Sequence, residues 1–237
     1  GGTVILITNA PRPSTAILPQ LADIKVPEDC YDAIVSSGDV TRRLVSLEEG
    51  RNVYHLGPEK DLTLIEGMPV NFTGLDEAEV VLCSGLMDDE TEVPEDYRPM
   101  LKAMHDRDLP MICANPDQVV RKGKRLLPCG GALATIYSEL GGSVAMAGKP
   151  YAPIYDEALR IAGELRGAAV ELGQVMAIGD GLPTDVKGAA DYGLALLFIV
   201  DGIHERELTM HEDSVPDALR QVVPDVKLTG VMRELSW

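Results

Sequence analysis

Short apolar runs alternate with longer amphipathic stretches along almost the whole chain. Most of the runs are apolar at consecutive positions, which is typical of strands that are covered on both faces. We predict strands in seven of these runs, at residues 3–8, 32–36, 52–56, 80–84, 110–114, 175–178 and 194–200. Because the stretches between them are long enough for helices, we expect parallel strands joined by βαβ units. The pattern therefore predicts an α/β fold.

Prolines indicate where two of the helices begin. Pro94 opens an amphipathic segment that runs to about Arg107. Pro19 falls inside the stretch that would be the first helix, so that helix either starts late or is kinked there.

Composition and charge narrow the class of protein. The chain has 237 residues, of which 45% are apolar, and this is enough for one large or two modest domains. No apolar run approaches the roughly 18 residues that a membrane-spanning helix needs, and no leader-like segment is recognisable in the sequence. We therefore expect no membrane partner and a cytoplasmic location. The formal net charge of −17 disfavours a nucleic-acid partner, because a phosphate backbone needs a positive surface.

The cysteines and histidines show no spacing that indicates a site. Four cysteines without CxxC spacing are predicted to be reduced and mostly buried: Cys30, Cys83, Cys113 and Cys129. The four histidines, at 55, 105, 204 and 211, are unclustered. We expect them at solvated or capping positions without a catalytic role.

Polar residues follow the first predicted strand. Thr8 and Asn9 stand where the apolar run ends, and Pro11 and Pro13 prevent the strand from continuing. Ligands of open α/β sheets bind at the carboxyl edge of the strands. Thr8 and Asn9 are therefore candidates for a ligand site, and a turn with a capping hydroxyl is the alternative.

A second cluster follows the strand predicted at 175–178. Asp180 lies between two glycines at the tip of this strand, and Asp185 falls in the first turn of the next helix. Carboxylates placed in this way can converge above the sheet edge and suit Mg²⁺, which prefers oxygen ligands. The alternative is that both carboxylates only stabilise the helix N-terminus, an effect of about 0.3–1 kcal/mol each. A third candidate is Lys149, which stands between a glycine and a proline.

Together these segments resemble the haloacid dehalogenase superfamily of phosphotransferases, in particular its class IIA (NagD-like) sugar phosphatases. Thr8-Asn9 matches the second motif of that family, Lys149 before Pro150 the third, and the GD and TD pairs that contain Asp180 and Asp185 the fourth. Three further segments agree with the family: ANPD at 114–117, PCGGALA at 128–134 and GAADYGLALLFIVDG at 188–202.

The resemblance implies a Rossmann-like core with a parallel sheet and an inserted, smaller α/β domain of the C2 type. We expect the first part of the core at residues 1–50, the inserted domain at 51–147, called the cap segment below, and the second part of the core at 148–237. Class IIA relatives often pair through their caps, so the resemblance allows a homodimer through the cap, and the sequence leaves the oligomeric state open.

The resemblance also implies the chemistry. Thr8, Asn9 and Lys149 would hold the phosphoryl group of a small phosphorylated metabolite, a sugar phosphate or a nucleotide. Asp180 would bind Mg²⁺, with Asp185 as a second ligand or as an anchor behind the first. In the cap segment the substrate-binding candidates are Asn115, Asp117, Gly130 and Gly131. For Asn115 and Asp117 the alternative is an Asx-turn that leads into a loop.

One motif of the family does not occur in the sequence. A strand followed by DxD normally precedes the second motif, and it carries the nucleophilic aspartate and the aspartate that acts as general acid and base. We expect the native protein to carry this segment upstream of the given sequence. The alternative is a catalytically inactive relative that binds phosphate ligands, and a carbohydrate-phosphate mutase fits less well because of the large cap segment.

Overall fold

The computed structural model of the chain describes residues 2–123, 125–201 and 215–235. The strands are β1 (Ile5–Thr8), β2 (Ala33–Ser36), β3 (Asn52–Leu56), β4 (Asn71–Phe72), β5 (Val80–Cys83), β6 (Met111–Cys113), β7 (Val119–Lys122), β8 (Arg125–Pro128), β9 (Val144–Met146), β10 (Met176–Gly179), β11 (Ala195–Ile199) and β12 (Lys227–Met232). The α-helices are α1 (Leu18–Asp23), α2 (Ser37–Ser46), α3 (Arg98–His105), α4 (Gly130–Glu139), α5 (Ala152–Arg166), α6 (Lys187–Tyr192) and α7 (Val215–Val222).

The chain divides into two compact units, Gly1–Gly148 and Lys149–Trp237. In the first unit, β1 and β2 form a parallel pair, and a five-stranded parallel sheet has the order β4-β3-β5-β6-β9. β7 and β8 form an antiparallel hairpin. In the second unit, β10, β11 and β12 form a parallel sheet in that order.

All seven predicted strands are present, and each pairs in parallel with a neighbour. The prediction of an α/β fold is therefore confirmed. The finer division of the first unit into core residues 1–50 and a cap segment at 51–147 stays a prediction.

The five-stranded sheet is covered on both faces, as its consecutive apolar residues predict. Val81 and Cys83 of β5 belong to one buried cluster, with Leu101 and Met104 of α3 and Leu133 of α4. The residues that alternate with them pack into a second cluster, together with a residue of α2; its members include Val45, Val53, Leu64, Val80 and Leu82. Side chains of a strand point alternately to the two faces of its sheet, so β5 contributes to both layers.

Five strands were missed by the sequence pattern: β4, β7, β8, β9 and β12. β4 has two residues, both exposed, and β9 has three. The hairpin strands β7 and β8 carry charged residues and flank Gly123, which has a positive φ of 64°. Short, charged or half-exposed strands lack the apolar run on which the prediction depends.

The proline positions are explained by the helix starts. Pro19 lies in the first turn of α1, so of the two alternatives the late start is correct. Pro94 opens a 3-10 turn, Pro94–Tyr97, and α3 follows directly. Proline is tolerated there because the first-turn amides have no partner within the helix.

The cysteine prediction is also confirmed. All four cysteines are free, and Cys83, Cys113 and Cys129 are buried while Cys30 is exposed.

His204 and His211 lie outside the described residues. Within the ranges given above, no helix combines the length and the apolar character that crossing a bilayer requires.

Packing of α3 on the sheet gives a test of this fold. Leu101 is fully buried, and Leu47, which follows α2, is 74% exposed. We expect Leu101→Ala to lower the free energy of unfolding by about 2–5 kcal/mol. Leu47→Ala, the same chemical change on the surface, should stay within about 0.5 kcal/mol. Urea unfolding followed by circular dichroism measures both, and equal shifts for the two variants would contradict the described packing.

Candidate active site

The loop after β1 begins with two of the predicted site residues. Thr8 is the last residue of β1 and pairs in register with Ser36 of β2. Its hydroxyl accepts a hydrogen bond from the backbone N–H of Ala10 at 3.2 Å. The hydroxyl therefore shapes the turn in which Asn9 lies.

The start of α2 holds this loop in place. The Ser37 hydroxyl donates to the Asn9 carbonyl at 2.9 Å, and the Ser36 hydroxyl donates to the Arg12 carbonyl at 2.6 Å. Ser36 and Asp39 form a capping box, and Asp39 also accepts from the Ser14 amide at 3.0 Å. Sequence reasoning missed these positioning residues. The signal was present, because Ser followed three residues later by an acidic side chain, directly after a strand, indicates a capped helix start.

The ANPD segment at 114–117 contacts the same loop. The Asn9 side-chain amide donates to Asp117 Oδ1 at 2.9 Å. The Asp117 backbone N–H donates to Asn115 Oδ1 at 3.1 Å, which is the Asx-turn that the sequence left as the alternative. The first unit therefore brings Asn9, Asn115 and Asp117 together, and a ligand-binding role for the last two stays a prediction.

Gly130 and Gly131 begin α4 and are both buried. A Cβ on Gly131 would lie 2.1 Å from the Pro116 carbonyl oxygen, and one on Gly130 would lie 3.2 Å from the Asn115 carbonyl oxygen. The glycines thus allow α4 to pack directly on the ANPD segment. This packing requires glycine at 131 and is tight but not closed to a side chain at 130. The contact of both glycines with substrate stays a prediction.

In the second unit, Lys149 and Asp185 form an ion pair. Lys149 Nζ donates to Asp185 Oδ1 at 2.7 Å, and the two side chains are 16% and 12% exposed. Desolvation makes such a pair sensitive to the loss of either partner, since the remaining charge would be left without compensation.

The second oxygen of Asp185 holds the loop after β10. It accepts hydrogen bonds from the backbone N–H groups of Gly181 at 3.0 Å and Asp180 at 3.3 Å. A Cβ on Gly179 would lie 2.4 Å from the carboxyl carbon of Asp185, so this approach requires glycine. Residues Leu182–Val186 form one π-helical turn before α6. Turns of this kind are frequent at functional sites.

These contacts indicate different roles for Asp180 and Asp185 at a metal site. Both oxygens of Asp185 already have partners, which favours the anchor role, and Asp180 follows the carboxyl end of β10. Within the described ranges, no group of three or more His, Cys, Asp or Glu side chains is arranged to hold a metal ion. A Mg²⁺ site can be built from one or two carboxylates with waters and a substrate phosphate. Asp180 therefore fits such a site as one ligand.

A buried tyrosine lies near the same ion pair. A Cβ on Gly188 would lie 2.1 Å from the Tyr155 hydroxyl, so Tyr155 of α5 packs closely against α6. Burial raises the pKa of Tyr155, and the charges of Asp185 and Asp191 raise it further. The phenol therefore stays protonated and adds no negative charge to this region.

Comparison with known proteins gives three informative similarities. Residues 146–227 match the sequence model of the HAD-hydrolase-like family. A hydrolase of the haloacid dehalogenase-like family from Brucella suis 1330, known by crystal structure, is 49% identical, with 85% of this chain and 77% of that chain covered and a TM-score of 0.76. The D-glycerol 3-phosphate phosphatase of Mycobacterium tuberculosis is 29% identical over 133 residues, which are 53% of this chain and 35% of the relative.

A further similarity concerns the fold alone. A glycerol phosphate phosphatase from Mycobacterium tuberculosis, solved in complex with magnesium, has a TM-score of 0.67 at 19% identity. The alignment covers 98% of the present chain and 65% of the mycobacterial protein. The curated mycobacterial relative described above is matched over about a third of its length, so its activity does not transfer directly to this chain.

The alignment with the Brucella protein extends over most of both chains, and nearly half of the aligned residues are identical. The family model independently covers the region that contains Lys149, Asp180 and Asp185. The chain belongs to the haloacid dehalogenase-like family of hydrolases.

Proposed function

We propose that this chain is part of a Mg²⁺-dependent phosphatase of class IIA (NagD-like) that hydrolyses a small phosphate monoester, a sugar phosphate or a nucleotide. The observation that carries the proposal is the Lys149–Asp185 ion pair, because Asp185 also holds the loop on which Asp180 lies. Family membership supplies the reaction class, and the names of the mycobacterial relatives support a phosphate ester as substrate.

The proposed reaction has two displacements. A nucleophilic aspartate attacks phosphorus, and the alcohol leaves with a proton from a second acidic group. Water then attacks the aspartyl phosphate, gives its proton to the same group, and releases inorganic phosphate and the free aspartate. Both acidic residues belong to the strand-DxD motif of the family, which does not occur among these 237 residues. The product of the whole open reading frame is therefore the protein to assay.

The residues of this chain would stabilise the charge on the transferring group. Lys149, held by Asp185, places an ammonium group that can hold a phosphoryl oxygen and the nucleophile. The Thr8 hydroxyl and the amide N–H of Asn9 would donate to a further oxygen. In the free protein the Ala10 amide donates to Thr8, so that hydroxyl still has its own proton to give.

Asp180 is the proposed metal ligand, and Asp185 fixes the backbone of its loop. When bound there, Mg²⁺ supplies positive charge to the phosphoryl oxygens. The hydrogen bonds from the amides of Asp180 and Gly181 to Asp185 keep the loop in one conformation. The backbone that carries Asp180 is therefore fixed, and the carboxylate of Asp180 would hold the ion.

The cap segment, residues 51–147, is proposed to exclude water and to contact the substrate through Asn115, Asp117, Gly130 and Gly131. The hydrogen bond between Asn9 and Asp117 supports this, because it joins the ANPD segment to the loop that would hold the phosphate. Pairing of two cap segments would give a homodimer. The proposed partner is the small phosphorylated metabolite, and neither a nucleic acid nor a membrane is proposed as a partner.

The activity is tested with a panel of phosphate monoesters, with and without Mg²⁺, on the protein from the whole open reading frame. We expect turnover that requires Mg²⁺ and that falls by about 10²–10³ in kcat for Lys149→Met, since one charge stabiliser of the transition state is lost. Lys187→Met is the control, because Lys187 pairs with Asp191 on the surface.

A folded, metal-saturated protein that turns over no ester would refute the enzyme and leave the phosphate-binding alternative. Reading the upstream coding sequence decides the same question independently. A DxD after an apolar strand supports the enzyme, and full kcat in Lys149→Met removes Lys149 from the mechanism.

The anchoring role of Asp185 has its own test in stability. Asp185→Asn leaves the Lys149 charge without its partner in a largely buried position, and we expect a loss of about 1.5–3 kcal/mol in the free energy of unfolding. Asp191→Asn breaks an ion pair of the same 2.7 Å length whose side chains are 53% exposed, so its loss should be about 0.5 kcal/mol or less. Chemical unfolding of both variants measures the difference, and losses of equal size would disprove the anchor.

A further inference from the structure

The side chain of Asn9 cannot form the turn that asparagine usually forms. In an Asx-turn the side chain bonds the backbone N–H two residues further on. Two residues after Asn9 stands Pro11, which has no N–H. The carbonyl of Asn9 is held by the Ser37 hydroxyl at 2.9 Å. Its side-chain amide therefore needs a partner from another part of the chain.

Asp117 is this partner, although it lies 108 positions away. The Asn9 Nδ2 atom donates to Asp117 Oδ1 at 2.9 Å. A hydrogen bond to an ionised carboxylate is stronger than one between two neutral groups. In the described part of the chain no ion pair joins Asp117 to a basic side chain, so its charge acts on Asn9.

The backbone around Asp117 is rigidly mounted. Its N–H donates to Asn115 Oδ1 at 3.1 Å, and Pro116 between them is buried. A Cβ on Gly131 would lie 2.1 Å from the Pro116 carbonyl oxygen and 2.6 Å from that of Asp117. The segment is thus packed directly on the start of α4, and an acceptor on a fixed backbone can fix the side chain that it binds.

Gly148 closes the other side of Asn9. A Cβ on Gly148 would lie 2.5 Å from Asn9 Oδ1 and 2.8 Å from Pro116 Cγ. The Asn9 side chain therefore lies between Asp117 and the backbone that follows β9. All of these residues belong to the first unit. A residue that is held at its carbonyl and at its side chain has little freedom about its own backbone bonds, so the direction of its N–H is fixed as well.

We propose that Asp117 is a positioning residue that acts through Asn9: it keeps the Asn9 N–H in the direction from which it donates to a phosphoryl oxygen. The proposal rests on the phosphatase function proposed above. It refines the role of Asp117 from a contact with substrate to a contact with a residue that binds substrate. A donor that is oriented in advance stabilises the charge of the transition state without reorganisation.

This role differs measurably from a contact with the alcohol portion of the substrate. The phosphoryl group is common to all phosphate monoesters, so a displaced Asn9 lowers kcat by the same factor for each of them. A contact with the alcohol portion acts on KM and has a different effect for each alcohol.

Kinetics of the whole-frame protein with glycerol 3-phosphate and phenyl phosphate test the role. We expect Asp117→Ala to lower kcat about tenfold for both esters with little change in KM, because the phosphoryl donor is misplaced. Asp117→Asn keeps an acceptor for Asn9 and should stay within about threefold of the unmodified protein. Gln118→Ala is the matched control, since the Gln118 side chain bonds Thr135 on the surface.

Two kinetic results would overturn the proposal. One is a loss in Asp117→Ala that differs between the two esters. The other is a large loss in Asp117→Asn, which is nearly isosteric and keeps the test decisive if Asp117→Ala folds poorly.

A double-mutant cycle tests whether Asp117 acts through Asn9. The side chain of Asn9 is absent in Asn9→Ala, so adding Asp117→Ala should cause no further loss of kcat. Losses that multiply in the double variant would show that the two residues act independently and would contradict the proposal.

NMR of the asparagine side-chain amides gives a test that requires no turnover. Asn9→Ala identifies the signal of Asn9 in the ¹⁵N-labelled whole-frame protein. Asp117→Ala should move this signal and Gln118→Ala should leave it in place; an unmoved signal in Asp117→Ala would disprove the hydrogen bond. Absence of turnover in every protein refutes the phosphatase and with it the catalytic consequence, while the NMR result decides separately whether Asp117 holds Asn9.

Discussion

Parallel strands end at one edge of their sheet, and this constraint places the polar residues of the chain. Apart from the β7–β8 hairpin, the described sheets are parallel. A polar residue that follows a buried strand therefore comes to lie beside the polar residues that follow neighbouring strands. Ser84 after β5 and Asn115 after β6 follow this rule, and so do Thr8 and Ser36, which end the paired strands β1 and β2. Apolar clusters on both faces of the five-stranded sheet fix β5 and β6 below Ser84 and Asn115.

The polar edges are stabilised mainly by contacts to the backbone. The loop after β1 is held by Ser36, Ser37 and Asp39, and the loop after β10 is held by the carboxylate of Asp185. Glycine is required where one such contact is closest, since a side chain on Gly179 would displace Asp185. Loops that are fixed in this way can present a charge or a hydroxyl to a ligand without a large loss of conformational entropy.

The sequence by itself determined the α/β class, seven of the strands and the burial of most cysteines. It did so because consecutive apolar residues act locally. It left open whether the first helix starts late or is kinked at Pro19, and the structure decided for the late start. The strands β4, β7, β8, β9 and β12 were missed, since short or charged strands depend on their neighbours for burial. Only the tertiary structure decided that one oxygen of Asp185 pairs with Lys149 while the other accepts hydrogen bonds from backbone amides. It likewise decided that His55, unclustered in the sequence, lies against Ser84. These contacts join residues 36 and 29 positions apart, and spacing along a chain carries no information about such distances until the strands are paired.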